Sequence, residues 1–155
     1  MKKLSFLFSG LLVLFLFSCG GGGQSQADRI REQSKMAPVD PYEVWERNHG
    51  IGPIKAFELL AEIDQSLVTN GQVIYEAKCT ACHKVEKKFI GPSPQGILSR
   101  RTPAWVMNMI LNPDEMIQKD PIAKKLLMES NGSPMANQNL TEEEARSVLE
   151  YFRTL

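Results

Sequence analysis

Residues 79–83, Cys79-Thr80-Ala81-Cys82-His83, form the stretch of sequence that decides the fold. They contain two of the three cysteines and one of the two histidines in the chain of 155 residues. Random placement of so few such residues would produce this spacing with a probability on the order of 10⁻³. The stretch follows a segment of helical periodicity, so we expect it at the end of a helix.

The spacing C-x-x-C-H is the one by which proteins attach a c-type haem. The two thiols add to the haem vinyl groups, and the imidazole of His83 lies under the iron as an axial ligand. Other interpretations are weaker. A thioredoxin-like site needs a βαβ pattern that is absent, a zinc site would have only His49 to spare, and a disulfide here would close an uncommonly tight loop. The sequence therefore predicts one haem c, covalently bound through Cys79 and Cys82.

The rest of the chain around this motif shows start signals for several short helices. Capping residues precede runs with apolar residues at every third or fourth position, and three of these runs begin with proline. The predicted N-caps are Asp64, Thr102, Asn112, Asp120 and Thr141. No alternating strand pattern occurs, so we predict an all-α domain over residues 64–155.

Three further features of this domain match positions in a known family. A glycine and an aromatic residue stand four apart before the motif, the last helix offers partners for them, and a Gly-Pro follows the motif. These residues are Gly71, Tyr75, Val148, Tyr151, Gly91 and Pro92. Residues 64–155 thus resemble the class I monohaem cytochromes c. The resemblance implies a cytochrome c fold of several short helices around one covalent haem, with the Pro92 carbonyl accepting the Nδ1 proton of His83.

The resemblance also implies a second axial ligand, a methionine on a loop shortly before the last helix. Met135 occupies that position, beside Pro134, which would stiffen the loop. His49 and Met128 remain rival ligands. The other helical methionines are expected in the core. Ligation by His83 and Met135 predicts a relatively high reduction potential, because a thioether favours Fe(II).

Two groups of residues are candidates for contacts around the haem, one with the haem propionates and one with a partner protein. In the family a Trp or Arg often binds the haem propionates, and Trp105 and the pair Arg100-Arg101 could do so here. The alternative is that Trp105 belongs to the core and the arginines are solvated. A lysine cluster around the motif could steer an acidic partner, or could simply be solvated. It consists of Lys78, Lys84, Lys87 and Lys88.

The N-terminal residues predict export and anchoring. Residues 1–18 combine a basic start with an apolar run shorter than the ~20 residues of a spanning helix, as in a secretory signal. Leu16-Phe17-Ser18-Cys19 resembles a bacterial lipoprotein signal, which implies lipidation of Cys19. The alternative is an ordinary signal peptide or a membrane anchor with an incidental cysteine.

Two segments connect this signal to the helical domain. Residues 19–41, rich in Gly, Gln, Ser and Pro, predict a flexible tether with a short helix around residues 27–36. Residues 42–63 carry apolar anchors broken by Gly50, Gly52 and Pro53, and we expect them to form an irregular extension that packs on the domain. Binding of a partner protein is the other interpretation of this segment.

Charge and motif content narrow the function. The chain has equal numbers of basic and acidic residues, 18 of each, so it lacks the net positive charge that would attract the phosphate backbone of a nucleic acid. One haem motif without an evident acid–base pair predicts an electron carrier rather than an enzyme. We expect it to be held on a bacterial membrane facing the periplasm. There it would carry electrons from a quinol-oxidising complex to a terminal oxidase or a periplasmic reductase. The alternative is a gas sensor or haem enzyme with an open sixth position.

Overall fold

A computed structural model describes residues 25–35 and 39–155. The chain divides into two compact units, the first ending at Pro38 and the second comprising Val39–Leu155. In the first unit, helix α1 is Gln26–Lys35, close to the short helix expected there. The predicted signal peptide and Cys19 lie outside the described residues. No helix among those described is long and apolar enough to cross a membrane.

The second unit is built from short helices. A 3₁₀ turn, Pro41–Arg47, is followed by α2, Gln65–Lys78, and a second 3₁₀ turn, Ile97–Ser99. The remaining helices are α3 Pro103–Leu111, α4 Pro113–Lys119, α5 Pro121–Glu129 and α6 Glu142–Phe152. Residues 25–35 and 39–155 contain no strand, which confirms the all-α prediction.

Four of the five predicted N-caps bond as expected. The side chains of Asp64, Thr102, Asp120 and Thr141 each accept a backbone N–H of the first turn, and Thr141 forms a complete capping box with Glu144. Asn112 precedes α4 but its side chain does not cap it. Its amide group donates instead to the Ile51 carbonyl and to the Glu115 carboxylate, so a contact distant in sequence has replaced the local one.

The crossing of α2 and α6 fixes the helical framework. Gly71 lies against the backbone of Ser147, and any Cβ at this position would overlap that carbonyl. One turn further on, the ring of Tyr75 packs 5.5 Å from that of Tyr151 and 5.8 Å from that of Phe152. This close approach confirms the expected crossing of the two helices. Between α6 and α3 lies the apolar core, including Trp105, Val106, Ile110, Met116, Ile122, Val148 and Leu149.

Residues 39–63 belong to the same compact unit as the helices. Tyr42, Trp45, Ile51, Ile54 and Phe57 pack against the core. Buried Asn108 of α3 binds the backbone of this segment: its amide nitrogen donates to the carbonyls of His49 and Ile54, both at 2.8 Å, and its oxygen accepts the Ile54 N–H at 3.0 Å. These bonds satisfy backbone groups that no regular structure pairs.

Candidate functional site

The Cys-Thr-Ala-Cys-His segment forms a tight turn at the end of α2. Cys79 is the C-cap, its N–H donating to the Tyr75 carbonyl at 2.9 Å. The N–H groups of Cys82 and His83 both donate to the Cys79 carbonyl, at 3.1 and 2.9 Å. Cys79 is half-buried and Cys82 exposed, and burial raises the pKa of the Cys79 thiol. The turn therefore holds both thiols and the imidazole at one helix end.

The imidazole of His83 is oriented by the loop that follows. Its Nδ1 lies 2.8 Å from the carbonyl oxygen of Pro92. A carbonyl only accepts, so Nδ1 carries the proton and Nε2 keeps the lone pair that a metal needs. Gly91 lies against the ring, where a Cβ would overlap it. Its N–H donates to the Cys82 carbonyl at 2.9 Å, which ties the loop to the motif.

A cleft with mainly apolar walls opens beside these residues. The motif contributes Cys79, Cys82 and His83 to its lining, and the other predicted site residues that reach it are Pro92, Arg100, Arg101, Trp105 and Met135. Apolar side chains that the sequence analysis did not assign to the site complete the walls: Ile90, Ile97, Ile110, Ile117, Leu126, Leu127, Leu140 and Phe152. Ile90, Ile97 and Leu140 lie outside the α-helices, and which of the others meet the cleft depends on the packing of α3, α4, α5 and α6.

The candidate axial ligands are distributed unequally around this cleft. Met135 lines it, half-buried in the loop between α5 and α6. Met109 of α3 lines it as well. The rival His49 is exposed and does not reach the lining, and Met128 is 76% exposed on α5. Met116 is fully buried, with its sulfur accepting the Ile51 N–H.

The three residues proposed to bind the haem propionates have different partners in the structure. The indole N–H of Trp105 donates to the buried Asp120 carboxylate at 3.0 Å rather than being free for a propionate, and its ring belongs to the core, the alternative that the sequence left open. Arg100 donates to the carbonyls of Ser93 and Gln95 in its own loop. Arg101 is only 6% exposed, and its guanidinium lies 4.6 Å from the ring centre of Tyr42 and 5.2 Å from that of Trp105.

The role of Asp120 could be predicted from the sequence only in part. Its capping bond to the Ala123 N–H is local and was expected. Its bonds to Trp105 and to Asn48 join segments that are far apart in sequence, and no local pattern signals them. The pairing removes the Trp105 N–H from the set of groups available to a ligand.

Two lysines of the predicted cluster are partly engaged by the protein. Lys84 donates to the Thr80 carbonyl at 2.7 Å and lies over the ring of Phe89, while Lys88 donates to the Glu129 carbonyl. Both contacts tie the loop after the motif to its neighbours. Lys78, at the end of α2, lines the cleft.

An all-α fold in which a C-x-x-C-H turn meets a mainly apolar cleft defines a c-type cytochrome. The donor set fits that haem: two thiols at a helix end, an imidazole with its Nε2 lone pair available, and a cleft with largely apolar walls. Comparison with known families agrees, since the cytochrome c family profile matches residues 68–155. The chain belongs to the cytochrome c family. Cys79 and Cys82 therefore hold a covalent c-type haem, and the protein takes part in haem-based electron transfer.

Solved structures support the same assignment. A cytochrome c from Rhodothermus marinus is 39% identical and has a TM-score of 0.65, over 75% of this chain and 96% of that one. An engineered form of it has the same identity and TM-score over 74% and 96%. The engineered protein bound to a carbene intermediate is also 39% identical, with a TM-score of 0.62 over the same shares. A search of curated proteins found no match.

Proposed function

We propose that this protein is a one-electron carrier in which His83 and Met135 are the two axial ligands of the haem iron. The observation that carries the proposal is that these two side chains line one cleft while His49 and Met128 do not. Met109 also lines it, but it belongs to the packed helix α3, whereas Met135 is on a loop that can adjust its position.

The chain's own residues suit such a carrier. When bound, the haem supplies the Fe(II)/Fe(III) couple. The Pro92 carbonyl holds His83 in one tautomer and raises its basicity, and Gly91 allows the loop to lie against the ring. Mainly apolar walls limit the access of water. A thioether ligand favours Fe(II), so we expect a relatively high reduction potential.

The arginine that would face the haem propionates is Arg101. It lines the cleft and is almost fully buried, and it forms no ion pair with a carboxylate in residues 25–35 or 39–155. A buried guanidinium needs an anionic or polar partner. Arg100 also lines the cleft, but it already serves two carbonyls of its own loop, so its contribution to propionate binding would be smaller.

The partners that we propose are redox proteins with acidic surfaces. Lys78, Lys84, Lys87 and Lys88 surround the motif and would favour such a partner by charge. The exposed rings and chains of Phe89 and Ile90 lie in the same loop and would provide apolar contact. The donor would be a quinol-oxidising complex, and the acceptor a terminal oxidase or a periplasmic reductase.

The location that we propose is a bacterial membrane surface facing the periplasm. The basis is the sequence of residues 1–19, with lipid on Cys19 and residues 19–41 as the tether. A tether of that length would let the haem domain move between neighbouring complexes.

An absorption spectrum of the haem-loaded protein tests the ligation. We expect the near-infrared sulfur-to-iron band in the oxidised form and no carbon monoxide binding in the reduced form. Met135→Ala should remove the band and admit carbon monoxide, while the matched control Met109→Leu should change neither. A band that persists in Met135→Ala would overturn the assignment.

A second candidate function is a gas sensor or haem enzyme with an open sixth position. The observation that favours it is the attachment of residues 133–140, the part of the loop that carries Met135, in which one long hydrogen bond, from Asn137 to the Leu111 carbonyl at 3.5 Å, reaches another element. The engineered relative bound to a carbene intermediate shows that a related cleft can be made to accept a ligand. Carbon monoxide binding by the unaltered reduced protein would favour this candidate.

A further inference from the structure

Residues 39–47, here called the strap, run past the cleft arginine and end in a 3₁₀ turn. One ring of the strap, that of Tyr42, lies against the guanidinium of Arg101, with 4.6 Å between the Arg101 Cζ atom and the ring centre. The same Cζ atom lies 5.2 Å from the ring centre of Trp105. The cation thus contacts an aromatic ring of the strap and one of α3.

Tyr42 is itself fixed by contacts with α5. Its hydroxyl donates to the Glu129 carboxylate at 3.1 Å, and its N–H donates to the Asp40 carboxylate at 2.9 Å. Lys125 donates to both oxygens of Asp40 and lies 4.0 Å from the Tyr42 ring centre. These contacts therefore hold the Tyr42 ring in one position.

The guanidinium of Arg101 has little else to fix it. Within the described residues its one hydrogen bond goes to the carbonyl of Arg100. Since an aromatic face attracts a cation, the two rings supply much of its positioning.

We propose that Tyr42 is a positioning residue that holds Arg101 at the haem cleft and so helps to set the reduction potential. The inference rests on the proposed function, in which Arg101 faces the haem propionates. A fixed cation beside those carboxylates offsets their negative charge, which favours Fe(II). If the guanidinium turns away toward solvent, the carboxylates are less neutralised and Fe(III) is favoured.

Potentiometric titration of the haem-loaded protein tests this inference. We expect Arg101→Gln to lower the equilibrium constant for reduction by about tenfold, which is ~59 mV for one electron. Tyr42→Leu should lower it by about threefold, ~28 mV by the same relation. Tyr42→Phe, which keeps the ring and loses only the hydroxyl, should leave it unchanged. In the Arg101→Gln background, Tyr42→Leu should have no further effect.

The outcomes separate the two proposals. No effect of Arg101→Gln would overturn the proposed role of Arg101 itself. A lower potential in Arg101→Gln but not in Tyr42→Leu would overturn only the inference about Tyr42. The same inference would be overturned if Tyr42→Leu lowered the potential equally in the unaltered protein and in Arg101→Gln. An unchanged sulfur-to-iron band in each variant shows that ligation is intact. Tyr42→Met is a second replacement, with the same expected fall, in case Tyr42→Leu does not accumulate.

Discussion

Two irregular segments flank the helices that carry the haem site, and they are held in different ways. Residues 48–63 run before α2 and residues 130–141 between α5 and α6, and both are rich in turn-forming residues. The first is bound by side chains of distant helices: Asn108 and Asn112 donate to its carbonyls, Met116 accepts an N–H from it, and Arg153 donates to the carbonyls of residues 60–62.

The second segment is bonded to itself and to the adjoining turns of α5 and α6, as where the Gly132 N–H donates to the Leu127 carbonyl at 2.9 Å. Asn137 accepts the N–H of Asn139, Gln138 donates to the carbonyl of Ala136, and Asn139 adopts a left-handed φ of 52°. Met135 and Leu140 are its apolar contacts with the core. We infer that irregular backbone is more rigid where distant side chains satisfy its polar groups, and more adjustable where its bonds are local. The proposed axial methionine lies in the segment with local bonds.

The largest loss of stability should come from Asn108→Leu, which removes hydrogen bonds that hold residues 48–63. Asn108 is fully buried, and its loss leaves the Ile54 N–H and two carbonyls without their partners. Each unsatisfied group costs about 1–3 kcal/mol, so we expect the free energy of unfolding to fall by about 3 kcal/mol or more. Urea unfolding of the haem-loaded protein measures this.

The matched change in the other segment is Asn137→Leu. It removes one local bond and one long bond on the surface, so we expect a loss of about 0.5 kcal/mol. Equal losses in the two variants would contradict the contrast between the segments.

The sequence predicted the parts of the molecule that depend on local chemistry. Asp64, Thr102 and Thr141 cap helices as expected, because a side chain two or three residues from its partner needs only local geometry. The motif placed Cys79, Cys82 and His83 at the end of α2 for the same reason.

The parts that were missed depend on long-range packing. Asn112 was expected to cap α4 but donates to the Ile51 carbonyl and the Glu115 carboxylate. For Trp105 the sequence left two alternatives, propionate binding and a place in the core, and it signalled no bond to Asp120. The bonds to Ile51 and to Asp120 join residues that the fold brings together from different elements. No spacing in the sequence encodes such pairs, whereas a buried polar group must still find a partner once the helices pack.

A smaller loss of stability should appear at alkaline pH. It comes from Tyr42 in the strap, which precedes the first segment. Burial, together with the hydrogen bond to Glu129, raises the pKa of Tyr42 to about 12. In the unfolded chain the phenol titrates near ~10. Above pH 10 the unfolded state therefore loses this proton first, so the free energy of unfolding falls as pH rises toward 12.

Because Tyr42 is half-exposed, we expect this contribution to be about 1 kcal/mol after solvent screening. Urea midpoints of the unaltered protein and of Tyr42→Phe, compared between pH 9 and 11.5, measure it, and the variant should decline less. Parallel declines in the unaltered protein and Tyr42→Phe would show that Tyr42 does not contribute.

A similarly small effect on stability should come from Asn139, one of the left-handed residues of residues 130–141. Asn tolerates a positive φ better than Ala, so Asn139→Ala should cost about 0.5 kcal/mol, while Asn139→Gly should cost nothing measurable. If the loop controls release of Met135, the same 0.5 kcal/mol should appear in ligand exchange. In the second candidate function, where the sixth position opens, binding of carbon monoxide to the reduced Ala variant would then be about twofold more favourable than to the unaltered protein, at ~1.4 kcal/mol per tenfold. A loss of several kcal/mol in Asn139→Ala would mean that residues 130–141 are as rigidly built as residues 48–63, and the contrast between the two segments would fail.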